Sequence, residues 1–118
     1  MVAVAALAVC TVPVVSGAAG LPGIVVAHKS VSGSLAVTAV TAAVPRPKGL
    51  WVRLVGKVTT GTAVVACTRG SSISSNAYPY STAGLYRVPV RPSGAEICDV
   101  VASVGGSGRV TVEIRAAR

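Results

Sequence analysis

The stretch Arg109-Val110-Thr111-Val112-Glu113-Ile114-Arg115-Ala116 alternates without a break, with Val110, Val112, Ile114 and Ala116 on one side and Arg109, Thr111, Glu113 and Arg115 on the other. Side chains that change face at every residue mark a β-strand, and one apolar face opposite one charged face marks a strand that covers a core on one side only. Its predecessor over residues 96–104 reaches it through Gly105-Gly106-Ser107-Gly108. Glycine supplies the positive φ of tight turns, so these two segments are expected to form an antiparallel hairpin.

The same period recurs upstream. Residues 50–59 set Leu50, Val52, Leu54 and Val58 against Trp51, Arg53, Val55 and Lys57, Thr60-Gly61 reads as a turn, and residues 62–69 read as the return strand. Further strands are expected over 34–41 and 85–90, where Pro89 has to sit on an edge or in a bulge because it has no N–H for the ladder. Val44-Pro45-Arg46-Pro47-Lys48-Gly49 reads as a stiff connector, and residues 70–84 as a long loop with room for one more strand near Ile73 or Tyr78. Beyond the N-terminal segment no helical period appears. Five to seven short strands in about 85 residues suit a small all-β sandwich with hairpin and Greek-key connections.

Cys67 lies mid-strand beside Val65, and Cys98 beside Val100 and Ala102. In an oxidising compartment these two are expected to form one buried disulfide, worth roughly 3 to 4 kcal/mol in the chain-entropy model. The competing reading is two separate buried thiols in a reducing compartment. A cysteine in an early strand, another in a late strand and a glycine-turned last hairpin resemble an immunoglobulin-like sandwich over residues 50–116. The resemblance is one of architecture and carries no family motif: Trp51 precedes Cys67 instead of following it, and Glu96 stands two positions before Cys98 where that fold carries tyrosine.

Residues 1–27 contain no Asp, Glu, Lys or Arg, and every charged residue follows them. The apolar run from Met1 to Val15, followed by Ser16-Gly17-Ala18-Ala19, reads as a secretory signal with cuts expected after Ala18 or Ala19, or after Ala27. No basic residue precedes the run, a departure that a start codon assigned too late accounts for. Two other readings compete with it, an uncleaved membrane anchor and a buried first strand. The expected organisation is a signal-like segment 1–27 and a single domain 28–118. Valine and alanine supply 43 of the 118 residues and arginine outnumbers lysine, a usage that suits a high-G+C bacterial gene.

Three acids and one histidine leave little material for paired-carboxylate catalysis, Ser-His-Asp triads or metal centres. No P-loop, zinc spacing or dinucleotide fingerprint occurs, so neither a cofactor nor an enzymatic activity is expected. Trp51 with Arg53 and Lys57 forms the first candidate contact surface, an indole flanked by cations that suits a sugar ring, a base or a partner side chain. The opposite face assignment makes Trp51 a core anchor instead. Tyr78 and Tyr80 in the Ser-rich 70–84 segment, which also holds Asn76, form the second, in the vocabulary of adaptable binding loops, against the reading of a plain polar connector. His28 becomes the mature N-terminus if cleavage follows Ala27, but a copper brace needs a second histidine and there is none.

The net charge of +8 is scattered, with no basic block, and favours anionic surfaces over sequence-specific nucleic-acid reading. The expected function is non-catalytic binding of a cell-envelope polyanion, glycan or protein by a secreted, disulfide-stapled domain. The alternative is an effector or inhibitor that grips a protein target through residues 70–84. Membrane contact is expected only if residues 1–27 stay attached.

Overall fold

The computed structural model describes residues 20–118 and is all β there. Five strands follow in order: β1 (Ile24–Pro45), β2 (Gly49–Arg69), β3 (Ser72–Tyr80), β4 (Gly84–Val88) and β5 (Ile97–Ala117). Every pairing is antiparallel and all belong to one sheet, ordered β1-β5-β2-β3, with β4 also on β2. Strand β4 pairs with Leu50–Leu54 and β3 with Gly61–Arg69, so the two short strands lie end to end along one side of β2.

The long strands cannot run straight. The 21 residues of β5 would extend about 70 Å at roughly 3.3 Å each, whereas the longest dimension of the molecule is 47 Å. Ile97 at one end of β5 pairs with Pro45, Ala117 at the other end pairs with Gly49, and only Arg46, Pro47 and Lys48 separate Pro45 from Gly49. Both ends of β5 therefore lie within reach of one short connector, and the sheet is doubled over in a shape consistent with a two-layer sandwich. The Arg46 N–H donates to the Glu96 carbonyl at 2.9 Å and the Lys48 N–H to the Ala117 carbonyl at 2.7 Å, fastening the connector to both ends.

Glycines make the fold-over. Register shifts fall at Gly33/Ala36 in β1 and at Val55/Lys57 and Val58/Thr60 in β2. Gly56 and Gly108 sit at φ of 106° and 71°, where a Cβ is strained. A Cβ on Gly106 would collide with the Lys57 carbonyl oxygen, so here two backbones touch. Gly105-Gly106-Ser107-Gly108 is thus not the hairpin turn its composition predicts, because the ladder to β1 and β2 continues on both sides of it. Thr60-Gly61 likewise lies inside β2 and not at a turn. A Cβ on Gly61 would lie 2.6 Å from a Leu54 methyl, which records the two halves of β2 packed against each other.

Alternation survives the bend at the cost of one register step. Between the pairs Leu54/Val112 and Gly61/Val104, β2 advances seven residues and β5 eight. The buried set in β2 accordingly switches from Leu50, Val52 and Leu54 to Ala63, Val65 and Cys67, while in β5 the even-numbered residues from Cys98 to Val104 and from Val110 to Ala116 are inside on both sides of the bend. Both sets belong to one core cluster, with Val44 and Val88. The core is mostly valine and alanine, β-branched or small side chains that suit closely packed half-sheets, with Leu50, Leu54 and Ile114 as its largest members.

Cys67 and Cys98 are register partners, joined by a buried disulfide with a Cα separation of 4.1 Å. The bond ties neighbouring strands of one sheet, whereas the staple of the immunoglobulin pattern crosses between two sheets. Two strand boundaries also differ from expectation: β1 begins at Ile24 and not near residue 34, so the boundary at 27 runs through it, and β4 stops at Val88, before Pro89. The additional strand allowed for near Ile73 or Tyr78 is β3, which fills most of the 70–84 segment after a turn at Gly70. Among the described residues there is no helix.

Candidate binding face around Trp51

The outward face of the half-sheet made by Gly49–Val55, β4 and the end of β5 brings Trp51 together with Arg53, Arg87, Glu113 and Arg115. Leu50, Val52 and Leu54 are buried, so Trp51 and Arg53 project outward, as alternation requires. Trp51 is flanked by Arg87 on β4 and Arg115 on β5, and Arg53 in the next row by Leu85 and Glu113. The Arg87 guanidinium carbon lies 5.5 Å from the Trp51 ring centroid, within cation–π range. The indole lies across Gly49 and Gly23, whose missing Cβ atoms leave room for it. It is half-buried: one face rests on backbone, and part of the ring remains open to solvent.

The cations on this face do not play one role. Arg115, only 5% exposed, donates from Nη1 to Glu113 Oε1 at 2.7 Å, from Nε to the Pro22 carbonyl at 2.8 Å and from Nη2 to the Gly23 carbonyl at 3.2 Å. It is a strut that fixes residues 22–23 behind Trp51. The alternating pattern places Arg115 on a wet face, and it is the packing of this upstream segment that buries it. Arg53 lies 3.7 Å from Glu113 Oε2 and is about one-third exposed. Arg87 has no carboxylate partner among the described residues and is exposed. Lys57 lies past Gly56 in the bend, exposed and off the Trp51 row.

Tyr78 and Tyr80 do not lie on a loop. They pair with Ala63 and Gly61 and turn toward the core, half-buried and packed against it. Tyr80 stacks on Tyr86 with centroids 4.1 Å apart at an interplanar angle of 16°, bridging the gap between β3 and β4. The Tyr86 hydroxyl donates to the Thr82 carbonyl at 2.6 Å, closing the β3–β4 turn. Burial raises the Tyr80 phenol above its ordinary value, and the neighbouring Tyr78 and Tyr86 add to the rise. Residue spacing gives no sign of this cluster's inward direction, because the Ser-rich segment around it lacks an apolar alternation that would mark a buried face.

His28 lies inside β1, exposed and opposite Glu113. At the end of the molecule where the long strands begin and finish, a cleft of about 290 Å³ is lined by Arg46, Pro47, Lys48, Gly94, Ala95 and Glu96. Glu96 Oε1 accepts from the Gly70 N–H at 3.3 Å there, and Arg69 donates to the Ser93 carbonyl at 3.1 Å. The scattered cations of the sequence thus resolve into Arg46 and Lys48 at this end, Arg53 and Arg87 beside Trp51, and others between. No known protein-family model and no curated protein matches the chain.

Proposed function

We propose that the chain is an exported, non-catalytic binding module that holds an acidic glycan or similar polyanion of the cell envelope against the Trp51 face. The observation that carries this reading is the half-open indole with the exposed Arg87 guanidinium over it and Arg53 in the next row. An aromatic platform takes the apolar face of a sugar ring, and adjacent guanidinium groups take its carboxylate or sulfate bidentately. A net charge of +8 draws such polymers from a distance. The protein-targeting reading through residues 70–84 loses support, because Tyr78 and Tyr80 spend their area on the core.

Export is part of the same proposal. The buried disulfide is at home in an oxidising compartment. A cut after Ala18 or Ala19 leaves β1 whole. A cut after Ala27 would remove Ile24, Val25 and Ala27, which pair with Ala116, Arg115 and Ile114, together with the two carbonyls that Arg115 holds. The earlier cut is therefore the one proposed, and N-terminal sequencing of protein from the medium tests it.

The binding test is retention on an immobilised uronic-acid polysaccharide developed with a salt gradient. Wild type is expected to elute late, with Trp51→Ala and Arg87→Ala both early and Tyr78→Ala unchanged, because screening weakens the cationic part and the missing ring weakens the rest. Equal retention of wild type and Trp51→Ala, or retention that ignores salt, would overturn the proposal.

A further inference from the structure

Strand β1 is the outer strand of the sheet, and among the described residues nothing pairs with its far side along all 22 residues. An open edge this long is a template for another strand, and proteins commonly guard such edges with charge, proline or bulges. The other open edges here are guarded: β3 has nine residues and carries Pro79, and β4 has five and is followed by Pro89. The first part of β1 carries His28 and Lys29 and ends in the Gly33/Ala36 irregularity. From Ala36 to Val44 there is no charge, no proline and no further break in register.

The phase of that edge can be read from two independent observations. The Arg46 N–H donates to the Glu96 carbonyl, which turns the polar groups of even-numbered β1 residues toward β5. The Cα atoms of the register pair Cys67/Cys98 are 4.1 Å apart, the spacing of a close pair that exchanges no backbone hydrogen bonds. Cys98 therefore aims its N–H and C=O at Val44, which gives the same phase. It follows that Val37, Ala39, Thr41 and Ala43 point theirs at solvent.

We infer that this edge is an assembly surface for a second copy of the same chain, with residues 36–44 of the two copies pairing antiparallel about a twofold axis. Two identical antiparallel strands are complementary by symmetry: Val37 comes opposite Ala43 and Ala39 opposite Thr41. Four outward residues on each chain then supply about eight hydrogen bonds. No charge meets a like charge along this stretch, so pairing here brings none of the cations of two +8 molecules directly opposite each other. Val37 within the new seam and Leu35 just beside it are large apolar side chains left 72% and 91% exposed. The outer rows of this half, such as Thr41-Val101-Val64-Ala77, would continue across both copies as one surface of small side chains on which Asp99 is the charged residue. This surface is separate from the Trp51 face, and the inference does not rest on what that face binds.

The experiment is sedimentation equilibrium of the full chain, thiols alkylated, from about 1 to about 100 µM. The wild-type mass is expected to rise toward twice 11.6 kDa across that range. Thr41→Pro removes an N–H that points to solvent and leaves the bonds to β5 intact, so it should fold and stay monomeric. Ala39→Lys with Ala43→Lys should do the same through charge alone, which keeps the test valid if the proline variant fails to fold. Ser103→Lys, on the outer face of β5, should still dimerise. A wild type that stays monomeric throughout, a dimer that survives both edge variants, or one that only Ser103→Lys abolishes would each overturn the inference; the last would mean that copies stack face to face.

Discussion

Replacing Arg115 by methionine tests how the Trp51 face is held. Arg115 is 5% exposed and Glu113 13% by side chain, and the pair is closed at 2.7 Å. Without the guanidinium, Glu113 keeps only Arg53 at 3.7 Å, too long for a hydrogen bond. Removing one partner of a buried pair costs about 3 to 5 kcal/mol, because the other charge is left uncompensated. Arg53 and the exposure of Gly23, whose carbonyl can turn to water, reduce that to about 2 to 3 kcal/mol. Methionine at both 115 and 113 removes the stranded charge and should lie within about 1 kcal/mol of wild type, since apolar groups of similar volume often replace such a pair without loss. Urea unfolding of the oxidised protein, followed by far-UV circular dichroism, gives both differences. The lone tryptophan reports the local effect, with Trp51 emission shifting to the red in Arg115→Met as residues 22–23 come loose. A single variant within about 0.5 kcal/mol of wild type, or a double variant worse than the single, would refute the reasoning.

Three further outcomes are expected. Cys67→Ala with Cys98→Ala should lower stability by about 3 to 4 kcal/mol, since the bond closes 31 residues between the two strands at the centre of the sheet, and the urea midpoint of oxidised wild type against the variant measures it. Gly106→Ala should lose about 2 kcal/mol or more because its Cβ meets the Lys57 backbone, whereas Gly33→Ala, which has open space and no positive φ, should change thermal stability by less than about 1 kcal/mol. Tyr80 favours its neutral form in the fold, so the unfolded chain ionises first, near its ordinary value of about 10. Stability should hold from neutral pH up to that point and fall as pH rises through the higher folded value, and Tyr80→Phe should flatten this alkaline decline in a pH series of urea midpoints.

Residue order alone was enough for the class of the fold and for the faces of its strands. Alternation in 109–116 and 50–54 depends only on neighbouring residues, and a strand with one apolar side has a single way to lie on a core. The same local logic assigned Val110, Val112, Ile114, Leu50 and Leu54 to the interior and paired Cys67 with Cys98, but it left Trp51 open between an outward contact residue and a core anchor, and the fold makes it half-buried on the outward side. What residue order could not tell was whether a glycine cluster ends a strand or bends it. Gly105–Gly108 satisfies the chemistry of a hairpin turn and of a fold-over equally well, and the choice rests on whether neighbours far away in sequence, residues 33–36 and 56–60, bend at the same level. Tertiary structure also decided what happens to groups that are locally polar. Arg115 has the spacing of a solvent-facing residue and is buried because Pro22 and Gly23 come back over it. Tyr78 and Tyr80 have the composition of a loop and turn inward because β3 pairs with the far half of β2. A sequence pattern reports the side of the chain on which a residue lies, whereas burial and partnership depend on what the rest of the chain lays against that side.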